Sequence, residues 1–191
     1  KRKRMASINL FVQTAFVGDL LLSLPTLKFL RHLFPQSQLA LLCKKGFGDF
    51  YRDLGVVDLV FEADKKTLLH HNSLGPEISK LEFDYLISAH LSLRTALICS
   101  SLRAKNKIGF SRWWNFFAYN QRIQRPLHFP DALRQLSLLT PLSDSLRKQL
   151  EALEKKGDLL PISNPSQPIP EWSSMSLQGY EPSVAHPALL R

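Results

Sequence analysis

Read along the chain, apolar residues fall into short runs separated by amphipathic stretches. Ile8, Leu10, Phe11 and Val12 form the first run, with no Gly or Pro inside it. Such a run fits a strand covered on both faces, as in a parallel sheet. A buried helix of that length would give the same pattern, but the break over 14–19 favours the strand. Leu20, Leu24, Leu27 and Phe34 then recur at helical spacing, with Lys28 and Arg31 turned elsewhere. Pro25 lies inside this pattern and either kinks the helix or begins its main segment. Further apolar runs predict strands over 38–43, 58–62, 84–89 and 107–110. Between them the chain predicts a short helix over 49–54 stopped by Gly55, loop and a helix fragment over 64–81, and a helix over 92–103. Trp113, Trp114, Phe116, Phe117 and Tyr119 predict an aromatic helix packed into the core, with a lipid-facing side or base stacking as other uses. Helices follow over 131–139 and 144–156, the second more exposed and ended by Gly157.

Strand and helix thus alternate throughout, which implies right-handed βαβ units. The expected fold is α/β, a Rossmann-like, mostly parallel sheet with helices on both faces. Ligands of such sheets sit beyond the carboxyl ends of the strands. The residues just past those ends are 14–19, Lys44 and Lys45, His90, and Ser111 with Arg112. One carboxylate and several cations therefore converge on one edge, which suits an anionic acceptor group. Gly18 and Asp19 predict a tight turn in which Gly18 is free to take φ > 0 and lets another molecule approach. Asp19 suits the first turn of the helix that follows, either as a simple cap or as the chemical centre of the chain.

Composition narrows the classes. The hydrophobic share, 45%, is ordinary for a globular chain. The longest apolar candidate for a membrane span, 86–102, is interrupted by His90 and Arg94. The net charge is +9; Lys1, Arg2, Lys3 and Arg4 supply four of those charges, and without them it is +5. That balance suits an anionic partner. Residues 1–4 stand before Met5 and are expected to be a basic extension rather than part of the fold. Cys43 and Cys99 have neither metal nor redox spacing, so buried free thiols are expected. His70 and His71 are adjacent, diverge on any regular element, and lack a carboxylate or Cys at ligand spacing; no metal site is expected. After residue 160 six prolines and no hydrophobic periodicity predict a linker.

The stretch FVGDLLLSLPTLKFLRHLFP resembles the opening motif of the family 9 glycosyltransferases, the bacterial heptosyltransferases of the lipopolysaccharide inner core. Later segments are similar in the same order: Val57-Asp58-Leu59-Val60, Phe83-Asp84-Tyr85-Leu86-Ile87, Ser92-Leu93-Arg94-Thr95-Ala96-Leu97 and Lys107-Ile108-Gly109-Phe110. The resemblance runs from about residue 7 to 155. It implies the N-terminal, acceptor-binding half of a two-domain GT-B fold. It implies transfer of heptose from an ADP-heptose donor to a core oligosaccharide acceptor, without a metal or cofactor. Asp19 matches the family's Gly-Asp and would be the base that takes the acceptor hydroxyl's proton. Arg94 and Arg112 match basic positions, and Lys44 and Lys45 match by their place after the second strand; all four would hold acceptor anions. His90 and Leu91 depart from a Gln-Gly common in the family, which bears on the acceptor type.

The implied setting is the cytoplasm, peripheral to the inner membrane, with no nucleic-acid partner. The implied organisation is a basic extension at 1–4, the acceptor domain at 5–157, and at 158–191 a Pro-rich linker or the truncated start of a donor domain. Ser173 to Ser176 resemble that domain's first strand and Leu177 to Tyr180 depart from its loop, as truncation or a frame shift would produce. Two other classes stand beside this one: a folded remnant without activity, and a basic nucleic-acid-binding domain resting on KRKR and the aromatic cluster.

Overall fold

The computed structural model describes residues 7–63 and 74–156. The basic extension, His70 and His71, and the Pro-rich stretch lie outside those residues. In chain order the elements are β1 (Ile8–Gln13), α1 (Val17–Leu21), α2 (Leu24–Leu33), β2 (Gln38–Lys44), α3 (Gly48–Asp53), β3 (Leu59–Ala63), α4 (Gly75–Lys80), β4 (Glu82–Ser88), α5 (Leu93–Ser101), β5 (Arg103–Phe110), β6 (Gln121–Ile123), α6 (Asp131–Leu136), a 3-10 segment (Ser137–Leu142) and α7 (Asp144–Lys156).

The six strands form one sheet in the order β3-β2-β1-β4-β5-β6, every neighbouring pair parallel. This is the order of a doubly wound sheet, with the direction of winding reversing between β1 and β4. β1 is central and wholly buried, as its unbroken apolar run requires. On one face Phe11, Leu41 and Ile87 pack under Leu27 and Leu30 of α2, Tyr51 of α3, Leu133 of α6 and Leu146 of α7. On the other, Leu10, Val12, Leu42 and Leu86 pack under Ile78 of α4 and Cys99 of α5.

Polar staples hold the layers in register. Asp58, just before β3, accepts from Arg31 of α2 at 2.6 Å and from the Leu39 amide of β2 at 2.7 Å. Asp84 of β4 accepts from Ser7 and, at 2.6 Å, from Lys105 of β5. Those two bonds hold its carboxyl below the usual carboxylate range. Cys43 and Cys99 are free and buried, as expected. Burial pushes the Cys43 thiol up to about 12 and the Cys99 thiol up to about 11.

Four details differ from the sequence reading. Gly18 does not take positive φ; among the described glycines only Gly46 and Gly55 do. The turn comes earlier, over 14–16, and Gly18 sits inside α1 with open space where a Cβ would be. The second of the two readings of Pro25 holds: it begins the main helical segment. Pro25, at the start of α2, cannot donate into the α1 ladder, so α1 ends at Leu21 and α2 begins at Leu24.

The aromatic stretch is not a helix. The Asn115 side chain takes over the backbone groups there: Oδ1 accepts from the Arg112 amide at 3.0 Å and Nδ2 donates to the Phe110 carbonyl at 2.8 Å. The result is two successive turns that display Trp113, Phe116 and Phe117 to solvent, while Tyr119 folds back over Gly109. A Cβ on Gly109 would lie 2.7 Å from that ring, so only glycine fits there. Beyond Tyr119 comes β6, a short, polar edge strand with no apolar run to announce it.

Candidate functional site

The reversal between β1 and β4 opens a crevice at their carboxyl ends, and side chains from both strands meet across it. Thr14, just past β1, places its Oγ1 2.8 Å from His90 Nδ1 and 3.1 Å from Thr95 Oγ1. His90 Nδ1 is also 2.9 Å from Thr95 Oγ1, and Ser92 Oγ completes the cluster at 2.8 Å. Ser92 caps α5 by accepting from the Thr95 amide. Burial lowers the His90 pKa below its ordinary value, and the Asp19 charge opposes that shift. The imidazole is therefore neutral at neutral pH, fixed by its hydroxyl partners.

Two cavities flank the 14–16 turn. The first, of about 310 Å³, is lined by Thr14, Phe16, Lys44, His90 and Arg94 among others. The second, of about 290 Å³, is lined by Asp19, His90, Phe110, Arg125, Arg134 and Gln135 among others. Asp19 is in the first turn of α1. No side chain caps that helix, and among the described residues the Asp19 carboxylate takes no hydrogen bond. Asp19 is thus not spent as a cap.

What is tied down is its backbone. The Asp19 carbonyl accepts from Gln135 Nε2 at 3.0 Å, and it shares the single Ser23 hydroxyl proton, at 2.9 Å, with Gln135 Oε1 at 2.5 Å. Gln135 Oε1 also accepts from Gln13 Nε2 at 3.4 Å. One buried amide from α6 therefore connects the end of β1 to the short helix that carries Asp19.

The predicted residues separate into groups. Lys44 and Arg94 line the first cavity, and Asp19 lines the second. Gly18 is exposed beside Asp19. Lys45 is exposed in the loop after β2, its amide bound to the Ala63 carbonyl at 3.1 Å, and lines neither cavity. Arg112 is exposed after β5 and lines neither, although its charge reaches Arg125. The cations in the Asp19 cavity are Arg125 and Arg134, which sequence reasoning missed, as it missed Gln135. The one available signal was a Gln on the apolar side of a helix otherwise marked by Leu133, Leu136 and Leu139. Among the described residues no cluster of ligating side chains could hold a metal ion, and no helix is long and apolar enough to cross a membrane.

A carboxylate open to a cleft can take a proton from a bound hydroxyl, and guanidinium groups in the same cavity can hold an anionic substituent beside it. No protein-family model matches the chain, and no curated protein matches it. Solved structures do. Escherichia coli heptosyltransferase WaaC, solved with ADP-2-deoxy-2-fluoro heptose, superposes with a TM-score of 0.61 at 17% identity over 70% of this chain and 47% of that one. The same enzyme with ADP gives 0.62 at 17% identity, over 84% and 49%. A family 9 glycosyl transferase from Veillonella parvula gives 0.64 at 18% identity, over 86% and 55%. The chain shares their fold and spans about half of their length.

Proposed function

We propose that this chain is the acceptor-binding half of a glycosyltransferase that moves heptose from a nucleotide-activated donor to the lipopolysaccharide core. The observation that carries the proposal is the Asp19 carboxylate, which takes no hydrogen bond from the described residues and lines a cleft at the winding reversal of a sheet shared with WaaC. In the reaction, an acceptor hydroxyl attacks the anomeric carbon of the donor. Its proton passes to Asp19 as the new C–O bond forms. The bond from the anomeric carbon to the diphosphate breaks, and its electron pair leaves with ADP. Gly18 leaves room for the acceptor beside the carboxylate. Lys44 and Arg94 in the neighbouring cavity, with the exposed Lys45 and Arg112 outside both cavities, hold acceptor anions. No metal or cofactor takes part, and donor binding belongs to a second domain.

The acceptor is carried on a lipid, so the chain works at the cytoplasmic face of the inner membrane. Support comes from the loop after β5, whose turns are held by Asn115. It leaves the same edge of the sheet and presents Trp113 at 87% exposure and Phe116 at 68%, beside Arg112 and Arg122. Aromatic rings beside cations suit an anionic lipid interface.

Calorimetry on the chain tests the assignment. Core oligosaccharide is expected to bind, and Asp19→Asn to bind it nearly as well, while ADP-heptose alone does not bind. An oligosaccharide that fails to bind, or a nucleotide sugar that binds on its own with micromolar affinity, would overturn it.

A further inference from the structure

We infer that Arg125 is an anion-binding residue of the Asp19 cavity, holding a carboxylate or phosphate group of the bound acceptor. The inference deepens the function proposed above and rests on it only for the origin of the anion.

Two arginines line this cavity, and their commitments differ. Arg134 is largely engaged. It donates to the carbonyls of Pro126 at 3.2 Å, Leu127 at 3.1 Å and Phe129 at 2.7 Å, and it pairs with Asp131 one turn away. Its guanidinium wraps the loop between β6 and α6, with four of its five N–H donors committed there.

Arg125 is nearly uncommitted. Its one hydrogen-bond acceptor among the described residues is the same Asp131 oxygen, at 3.5 Å, which Arg134 already takes. Its Nε is buried and finds no acceptor among the described residues. The other buried polar atoms in that position, on Asn9, Thr26, Tyr51 and Ser88, are neutral amide or hydroxyl groups. Arg125 alone is charged and lines a cavity. Buried donors without acceptors are rare, because desolvation is then uncompensated.

Arg134 and Arg112 act on Arg125 with like charge and Asp131 and Asp19 with opposite charge, and both carboxylates line the cavity with the two arginines. The guanidinium lies over the Phe110 ring, 5.9 Å from its centroid, which holds it in place. A pre-positioned fork with an unused buried donor fits a planar carboxylate or a phosphate. The cavity, about 290 Å³, is at the small end of ligand pockets and suits a single sugar residue with its anionic substituent.

The test is the arginine Nε–H spectrum of the full chain, titrated separately with inorganic phosphate and with gluconate. The Arg125 resonance is identified by its contact to the Phe110 ring and by its loss in Arg125→Lys. It is expected to move with at least one anion, and Arg125→Lys is expected to weaken binding about tenfold or more, since lysine keeps the charge but not the fork. Movement with phosphate alone names a phosphate, and with gluconate alone a carboxylate. A stationary resonance in both titrations would overturn the inference, as would unchanged affinity in Arg125→Lys. If that variant does not fold, the wild-type resonance decides alone. Should Arg125 bind the anions while core oligosaccharide does not bind, the anion site stands and the transferase assignment falls. In the converse case only Arg125 is wrong.

Discussion

Gln135→Leu is the perturbation that most directly probes how Asp19 is held. The substitution keeps the volume roughly and the helix propensity, but deletes both halves of the amide. Lost with it are the bonds from Ser23 at 2.5 Å and to the Asp19 carbonyl at 3.0 Å, and a marginal one from Gln13 at 3.4 Å. A net hydrogen bond contributes about 0.5–1.5 kcal/mol, and a buried group left without its partner costs about 1–3 kcal/mol. Ser23 and the Asp19 carbonyl still have each other, so the amide of Gln13 is the main group stranded. The expected loss is therefore about 2–3 kcal/mol, or roughly 4–12 °C in Tm for a fold of this size. Urea unfolding measures it, with an unchanged m value showing that the denatured state is not the cause. A cycle with Ser23→Ala should give a coupling of about 0.5 kcal/mol or more, because the two side chains touch. Gln135→Leu within about 0.5 kcal/mol of wild type, or strict additivity with Ser23→Ala, would refute the claim that this amide fixes α1.

Asp19→Asn should leave the chain within about 1 kcal/mol of wild-type stability, since only a helix-dipole contribution is lost; in an enzyme complete with its donor domain it should lower turnover by about 10²–10⁴-fold with little change in acceptor affinity. His90 has a lowered pKa, so the unfolded chain takes up its proton more readily; its contribution to stability is full above the ordinary histidine value of about 6.5 and is lost as pH falls through that value toward the folded one. Comparing urea midpoints at pH 7.5 and 5.5 checks this: wild type should lose more than His90→Gln. Trp113→Ala should reduce co-sedimentation with vesicles rich in anionic phospholipid several-fold and leave stability nearly unchanged, given its 87% exposure; equal sedimentation of the variant would remove the loop from the membrane contact.

The parallel sheet was legible because its central strands are apolar on both faces, and Leu10, Phe11 and Val12 have no other economical place to go. The crevice followed from strand alternation alone, so Asp19, Lys44, Lys45, His90 and Arg112 could be placed near it without coordinates; Arg94 came from the family resemblance, and Lys45 and Arg112 line neither cavity. The membership of the crevice could not be read that way. Which cations share a cavity with Asp19 depends on β6, three residues with no hydrophobic signature, and on the loop that Arg134 winds through four partners. The aromatic stretch misled because its hydrophobic content reads as core. Asn115, a single polar residue among the rings, replaces the helix by turns, and side-chain capture of backbone groups leaves no periodic trace. Gln135 was passed over for a similar reason: its importance lies in three distant partners, none of them near it in the chain.

The two cysteines have a practical consequence. With their thiols held near 12 and 11 and shielded from solvent, neither presents a thiolate to an alkylating reagent at neutral pH. The chain contains no others. A cysteine placed at the exposed position of Trp113 or Arg94 would therefore be the sole reactive sulfur, and a maleimide fluorophore or spin label could be put there in one step without first removing the native residues. Distances from a label at Trp113 to a vesicle surface, or from one at Arg94 to a bound oligosaccharide, would then report on the aromatic loop and on the first cavity in turn.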